Sequence, residues 1–172
     1  GADVHFIARG AHLAAMRANG LRIISPLGDE HIADVKATDD PATIGEVDIV
    51  MFCVKLYDVE EACEAIKPLI GPDTAVISFL NGIDSEDRMQ AVLGGNCVVG
   101  GTAQIPSNIV EPGVIEHKAP LAALEFGERD GGDSERLRHF HQICTDAGIQ
   151  TFLVENIETA IWLKFAILVP LA

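Results

Sequence analysis

Four residues stand where apolar runs end or are interrupted, and each can do chemistry that its neighbours cannot. Lys55 closes residues 47–55, a run that is apolar apart from Asp48 and Lys55 itself. Asn81, paired with Gly82, follows residues 74–80, which are apolar apart from Thr74 and Ser78. Arg9, paired with Gly10, follows the short run 4–8. Lys164 lies inside residues 160–169, which are otherwise apolar. An Arg and a Lys at strand ends can hold a phosphate or ribose. An Asn offers a donor and an acceptor to a carboxamide or hydroxyl. A Lys in apolar surroundings must snorkel, pair with an acid, or face a cavity. In the last case desolvation lowers its pKa and fits it for proton transfer.

Each residue also has a plainer reading. Arg9 suits a surface position beside a turn glycine. Lys55 could snorkel to solvent, Asn-Gly is a common turn pair, and Lys164 could lie on the wet side of a surface helix. Register bears on Arg9. In dinucleotide-binding folds the end of the second strand meets the adenosine ribose; an acid there holds the 2′-OH of NAD, and an Arg nearby suits the 2′-phosphate of NADP. If residues 4–8 are that second strand, Arg9 selects NADP.

The elements that must position these side chains follow from pattern. A continuous apolar run such as 47–55 predicts a strand covered on both faces, the central strand of a parallel sheet. Residues 56–70 read as a helix, with Val59, Cys63, Ile66 and Ile70 at helical spacing and Glu60, Glu61 and Glu64 outward. Residues 74–80 read as the next buried strand. Residues 11–19 read as a helix with Leu13 and Met16 on one face and Gly20 as its stop. Residues 21–25 and 31–37 read as a strand pair joined by the turn-forming cluster 26–30. Asp40-Pro41 reads as an N-cap and first helical position. Residues 102–128 are divided by Pro106, Pro112 and Pro120 and read as hairpin-rich. Residues 134–147 predict a helix with Leu137, Phe140 and Cys144 on one face, 150–154 a strand, and Asn156 or Ile157 the start of the last helix. This alternation predicts an α/β, Rossmann-like doubly wound sheet, followed by the start of an all-helical C-terminal domain. The shift to an unbroken apolar helix sets the expected boundary: 1–155 for the first domain, 156–172 for the second.

Composition narrows the partners. The 172 residues are 48% hydrophobic and 22% charged, which is the balance of a globular chain with a real core. The formal net charge of −14 repels phosphate backbones, so nucleic acid is not expected. The apolar runs fall short of a membrane span. Cys53, Cys63, Cys97 and Cys144 form no CxxC pair and read as reduced core residues of a cytoplasmic protein. His139 and His141, two apart on a helix, do not share a face, so no metal site is expected there. The chain enters a strand at once and stops at an apolar helix, which reads as the middle of a longer protein.

Five short motifs stand in register: Arg9-Gly10 after a strand, Val54-Lys55 before a helix, Asn81-Gly82 after a strand, the turn and strand at 111–117, and Trp162-Leu163-Lys164-Phe165 on a helix. In order and spacing the chain resembles the ketopantoate reductase (2-dehydropantoate 2-reductase) family over nearly its whole length. The resemblance implies NADPH-dependent reduction of the 2-keto acid ketopantoate to pantoate, on the way to pantothenate and coenzyme A. It implies that Arg9 contacts the NADP 2′-phosphate and that Lys55 binds cofactor. It implies that Asn81 lies near the nicotinamide and substrate. Ala119, in a strand at 117–119, is implied as a backbone contact to the cofactor. Lys164 is implied as the catalytic Lys, close to the substrate. It implies a monomer or a homodimer. Three features depart from the family pattern. The N-terminal GxGxxG turn and most of the helical C-terminal domain, with its acidic residue, lie outside these residues. Leu168 stands where many members carry a substrate-binding Asn. That substitution keeps two alternatives in view: an NADP-dependent hydroxyacid dehydrogenase with another substrate, and a non-catalytic dinucleotide-binding module.

Overall fold

The computed structural model describes residues 2–171, and Leu171 by its backbone alone. The chain divides into two compact units. One comprises residues up to Ile44 together with Gln104–Ala122; the other comprises Gly45–Ala103 and the chain from Ala123 onward.

In the first unit, β1 (His5–Ile7) leads into α1 (Gly10–Asn19), then β2 (Leu21–Ile24), β3 (Glu30–Ile32) and β4 (Lys36–Thr38). Leu13 and Met16 are the buried face of α1, as their spacing requires. The helix stops at Gly20, whose N–H returns to the Met16 carbonyl at φ +77. A side chain there would also collide with the Ile32 carbonyl oxygen, so glycine is demanded twice over. β2 and β3 are antiparallel, as the turn cluster predicts. Residues 36–38 do not extend that pair: they form β4, which runs parallel to β1. A bend at Ala33-Asp34 interrupts the expected strand. Beyond it Lys36 reaches Asp3 at 2.5 Å. Asp40 caps the following short 3-10 turn by accepting from the Ala42 N–H.

The second unit begins with β5 (Val47–Phe52), α2 (Val59–Ile66), β6 (Ile70–Ser78), α3 (Ser85–Leu93) and β7 (Val98–Gln104). The chain then returns to the first unit for β8 (Ser107–Glu111) and β9 (Val114–His117), the hairpin that the proline-divided segment forms. β9 pairs in parallel with β2, giving a four-stranded sheet of order β3-β2-β9-β8. The second unit resumes with β10 (Ala123–Gly127), α4 (Glu135–Asp146), β11 (Gln150–Leu153) and α5 (Ile157–Leu168). Its five strands take the order β11-β10-β7-β6-β5, and the pairs β5 with β6, β6 with β7 and β10 with β11 are parallel.

β6, not β5, is the strand covered on both faces. Every residue from Thr74 to Leu80 is buried. β5 ends the order of its sheet, stops at Phe52, and leaves Asp48 exposed and Met51 49% exposed. Its apolar run therefore overstated its burial. The helix expected over 56–70 is shorter as well. Pro68 follows Lys67 and denies the helix a backbone donor, so α2 ends at Ile66 and gives way to a 3-10 turn. Cys53 is exposed, whereas Cys63, Cys97 and Cys144 are buried as expected.

The strand alternation sorts the sheet into two faces. Ala75 and Ile77 of β6, Phe79 just beyond it, Val99 of β7, and Leu124 and Phe126 of β10 meet Leu137, Phe140 and Cys144 of α4 in one apolar core. The intervening residues, Ser78 of β6, Gly100 and Thr102 of β7 and Glu125 of β10, take the opposite face, under α3 and α5. Gly100 lets α5 come close. A Cβ there would stand 2.9 Å from both Ile157 Cγ1 and Ile157 Cγ2. Gly100→Ala must push α5 off the sheet and is expected to cost about 1–3 kcal/mol. A fall in the urea midpoint together with faster amide exchange in α5 checks this; an unchanged midpoint contradicts it.

Candidate active site

Lys55 and Asn81 sit at neighbouring strand ends. The parallel register places Phe52 beside Ser78, and the Phe79 N–H donates to the Phe52 carbonyl at 3.0 Å. The chain leaves β5 through Cys53-Val54 to Lys55, which opens a 3-10 turn and whose carbonyl accepts from the Asp58 N–H at 2.9 Å. It leaves β6 through Phe79-Leu80 to Asn81. Gly82, at φ +118, turns the chain toward α3, and a Cβ on it would lie 3.8 Å from Leu56. The side chains of Lys55 and Asn81 are both exposed at the carboxyl edge of the sheet, where open α/β sheets bind ligands.

Lys164 occupies a different environment. α5 is capped by Asn156, whose Oδ1 accepts from the Thr159 N–H at 3.0 Å. Ile157 and Ile161 are its buried residues, while Trp162, Leu163 and Ile167 are exposed. Lys164 Nζ is buried and makes no hydrogen bond among the described residues. Burial pushes its pKa down, opposed by the negative charges of Glu125 and Glu86. Of the three fates open to this Lys, snorkelling is excluded for Nζ, and no hydrogen-bonded pair is made among the described residues.

On the sheet face that α3 and α5 cover lie polar groups that the sequence pattern did not single out. Glu86, in the first turn of α3, is only 4% exposed. Its Oε2 accepts from the Ser85 hydroxyl at 2.9 Å, and Ser85 Oγ lies 3.0 Å from Ser78 Oγ. Burial raises the Glu86 pKa, against the stabilising bonds from its own backbone N–H, Ser85 and Ser78. Glu125 Oε2 accepts from the Thr102 hydroxyl at 3.0 Å. A Glu in the first turn of a helix is ordinary, and its residue type says nothing about which way it turns. The usable signal was the strand face: Ser78, Thr102 and Glu125 are polar residues on positions that α3 and α5 cover.

The other two expected residues lie in the first unit. Arg9 is exposed at the N-cap of α1 in extended conformation, followed by Gly10 at φ +57. No acidic residue stands in the first turn of α1. Ala119 is not in a strand: β9 ends at His117, and Ala119 lies in the bend that follows. That bend is held from three sides. Lys118 N–H donates to the Pro106 carbonyl at 2.8 Å. His117 Nε2 lies 3.0 Å from the Leu121 carbonyl, an acceptor only, so Nε2 carries the proton. Nδ1 then accepts from the Ser25 hydroxyl at 2.9 Å. Pro120 explains why the strand stops, since it has no N–H to extend the ladder.

A parallel sheet with helices on both faces, and polar groups at its carboxyl edge, is a Rossmann-like α/β arrangement. The model of the ketopantoate reductase PanE/ApbA family matches residues 1–131. The chain is 30% identical to a 2-dehydropantoate 2-reductase of Mesorhizobium japonicum, over 94% of this chain and 55% of that one. Its fold superposes on the crystal structure of 2-dehydropantoate 2-reductase from Porphyromonas gingivalis with a TM-score of 0.86 at 35% identity, covering 92% of this chain and 56% of that one. The corresponding enzyme of Geobacter metallireducens gives a TM-score of 0.87 at 29% identity, covering 94% and 53%. The chain belongs to the ketopantoate reductase PanE/ApbA family. It spans about half the length of the relatives it matches.

Proposed function

We propose that this chain is the cofactor-binding half of an NADPH-dependent reductase that converts 2-dehydropantoate to pantoate, with Lys164 as general acid. The single observation that carries the reading is Lys164 Nζ, buried without a hydrogen-bond partner among the described residues. A structural Lys gains nothing from such a position, because an unpaired buried ammonium destabilises the fold. A proton donor does gain from it, since desolvation brings its pKa toward the working pH.

The residues present fit the cofactor. Arg9 stands at the N-cap of α1, where the helix dipole also favours an anion and the first turn carries no acidic residue. That combination suits the 2′-phosphate. Ala119 offers backbone groups from a bend fixed by His117 and Ser25. Lys55 and Asn81 serve the carboxyl edge of the second unit, Asn81 orienting an amide or hydroxyl. When bound, NADPH supplies the hydride. Lys164 then neutralises the negative charge that develops on the ketone oxygen and delivers the proton from Nζ. The exposed apolar residues Trp162, Leu163 and Ile167 support a covering helical domain, an apolar face of this kind being typical of contact surfaces. No helix among the described residues is long and apolar enough to cross a membrane. Cys63, Cys97 and Cys144 are buried free thiols, and on that basis we place the reaction in the cytoplasm.

A second reading rests on Leu168. One helical turn beyond Lys164, it lies along the same side of α5 and offers no hydrogen bond where the family pattern that the sequence resembles implies an Asn. An NADP-dependent hydroxyacid dehydrogenase with a more apolar 2-keto acid fits that substitution. Turnover of ketopantoate compared with 2-keto acids bearing no hydroxyl, on the intact protein, separates the two. A higher kcat/KM for ketopantoate supports the first; a higher value for the others rejects it.

A further inference from the structure

Asn81 sits on a short segment, residues 79–84, between the end of β6 and the start of α3. We propose that Ser78 and Ser85 are positioning residues for Asn81: the hydrogen bond between their buried hydroxyl groups closes the base of that segment and fixes where the Asn81 amide stands. The inference rests on the reading of Asn81 as a contact to nicotinamide and substrate.

The segment has little to hold it from within. Asn81 is exposed, and Gly82 beside it, at φ +118, brings the conformational freedom of glycine. Among the described residues no backbone hydrogen bond joins one part of 79–84 to another. Its course is therefore set by its two ends. One end is β6, where the Phe79 N–H donates to the Phe52 carbonyl at 3.0 Å, and where a Cβ on Gly101 of β7 would stand 2.7 Å from the Ser78 carbonyl oxygen. The other is α3, which Arg88 ties to Glu60 of α2 by two hydrogen bonds of 2.7 and 2.6 Å. Ser78 and Ser85 join these ends directly. Their Oγ atoms lie 3.0 Å apart, and the residues are 0% and 1% exposed. The direction of the bond follows from Glu86. Ser85 donates its one proton to Glu86 Oε2 at 2.9 Å, so Ser78 must donate to Ser85 Oγ. Glu86, itself buried, is thus the terminal acceptor that turns the Ser85 hydroxyl away and leaves its oxygen open to Ser78. A hydrogen bond removed from water is electrostatically stronger than one in water, and a group left unpaired there has no solvent to turn to. With the bond cut, the start of α3 can shift against β6, and Asn81 shifts with it. A merely structural pair would hold α3 to the sheet without setting the place of Asn81.

Ser78→Ala removes the bond and leaves the Ser85–Glu86 contact whole. In the intact protein, read without substrate, 15N relaxation should give lower order parameters for the backbone and side-chain amides of Asn81 than in the wild type. With NADPH and ketopantoate, kcat/KM should fall roughly tenfold, short of the hundredfold that a displacement of about 1 Å can cost. Adding Ser78→Ala to Asn81→Ala should change kcat/KM by less than about twofold, because the group being positioned is already gone. Asn81 order that matches the wild type overturns the proposal, as does a full further loss in the double variant. A lower urea midpoint with Asn81 order and kinetics unchanged is the mark of a merely structural contact and overturns it too. If Ser78→Ala folds poorly, Ser85→Ala cuts the same bond from the α3 side, with the same outcomes expected. Failure of the Asn81 reading itself would show separately, as an Asn81→Ala protein with undiminished kcat/KM, and would reject the positioning role whatever the order parameters.

Discussion

Lys164→Ala is expected to lower kcat by about three orders of magnitude, within the range for loss of a general acid, while NADPH affinity stays within roughly threefold, the two effects being separable because the proton is needed only in the transition state. Lys164→Met should do the same to kcat and, in addition, stabilise the protein by about 1–2 kcal/mol, since it replaces a buried ammonium that has no hydrogen bond among the described residues with an apolar chain of similar length. The pH dependence fixes the sign. The folded-state pKa of Lys164 is lowered by burial, so the folded protein binds fewer protons than the unfolded chain between that value and the ordinary Lys value. Stability of the wild type therefore rises with pH through that window, and the advantage of Lys164→Met narrows there. Below the window both states carry the charge, and the full penalty of burial applies. Turnover runs the other way: it needs protonated Nζ and declines as pH rises through the lowered pKa. Urea midpoints of the two proteins across neutral to alkaline pH, with kcat in parallel, test all three statements. A Met variant less stable than wild type at neutral pH would mean that Lys164 is held by bonds other than those described.

Arg9→Ala is expected to weaken NADPH binding by about 10- to 100-fold, the loss typical of hydrogen bonds to a charged group, and to leave NADH binding within about threefold. The preference arises because the guanidinium faces a phosphate in one cofactor and only a hydroxyl in the other. Its position at the N-cap of α1, without an acid in the first turn, supports the phosphate assignment. Isothermal titration with each cofactor, on the intact protein, reads the ratio directly. Equal losses for both cofactors would move Arg9 to the shared part of the dinucleotide. No loss for either would remove it from the site.

Much of the frame was legible because period and punctuation agreed. Leu137, Phe140 and Cys144 fall on one face of α4, and Ser134 caps it by accepting from the Leu137 N–H. Asp40 and Asn156 cap their helices as their residue types require. Other features depend on neighbours that no local pattern encodes. The apolar residues of 47–54 could not reveal that β5 ends its sheet, because burial on a second face is supplied by whatever lies alongside. Residues 36 and 37 read as part of one strand with 31–35, yet they belong to β4, which pairs with β1 beyond the bend at Ala33-Asp34. Lys164 was recognisable as a charge in an apolar helix. Glu86 was not, since a Glu in a first helical turn is ordinary and only the tertiary contact with Ser78 and Ser85 turns it inward.

The most direct test of the central claim is a ketopantoate turnover assay on the intact protein with NADPH, following loss of reduced nicotinamide and formation of pantoate together. The two are expected to proceed in equal amounts, and Lys164→Ala is expected to abolish both while the cofactor still binds. NADPH that binds but is not consumed with ketopantoate or any other 2-keto acid would contradict the claim, and would leave a dinucleotide-binding module in which the buried Lys164 has some other purpose.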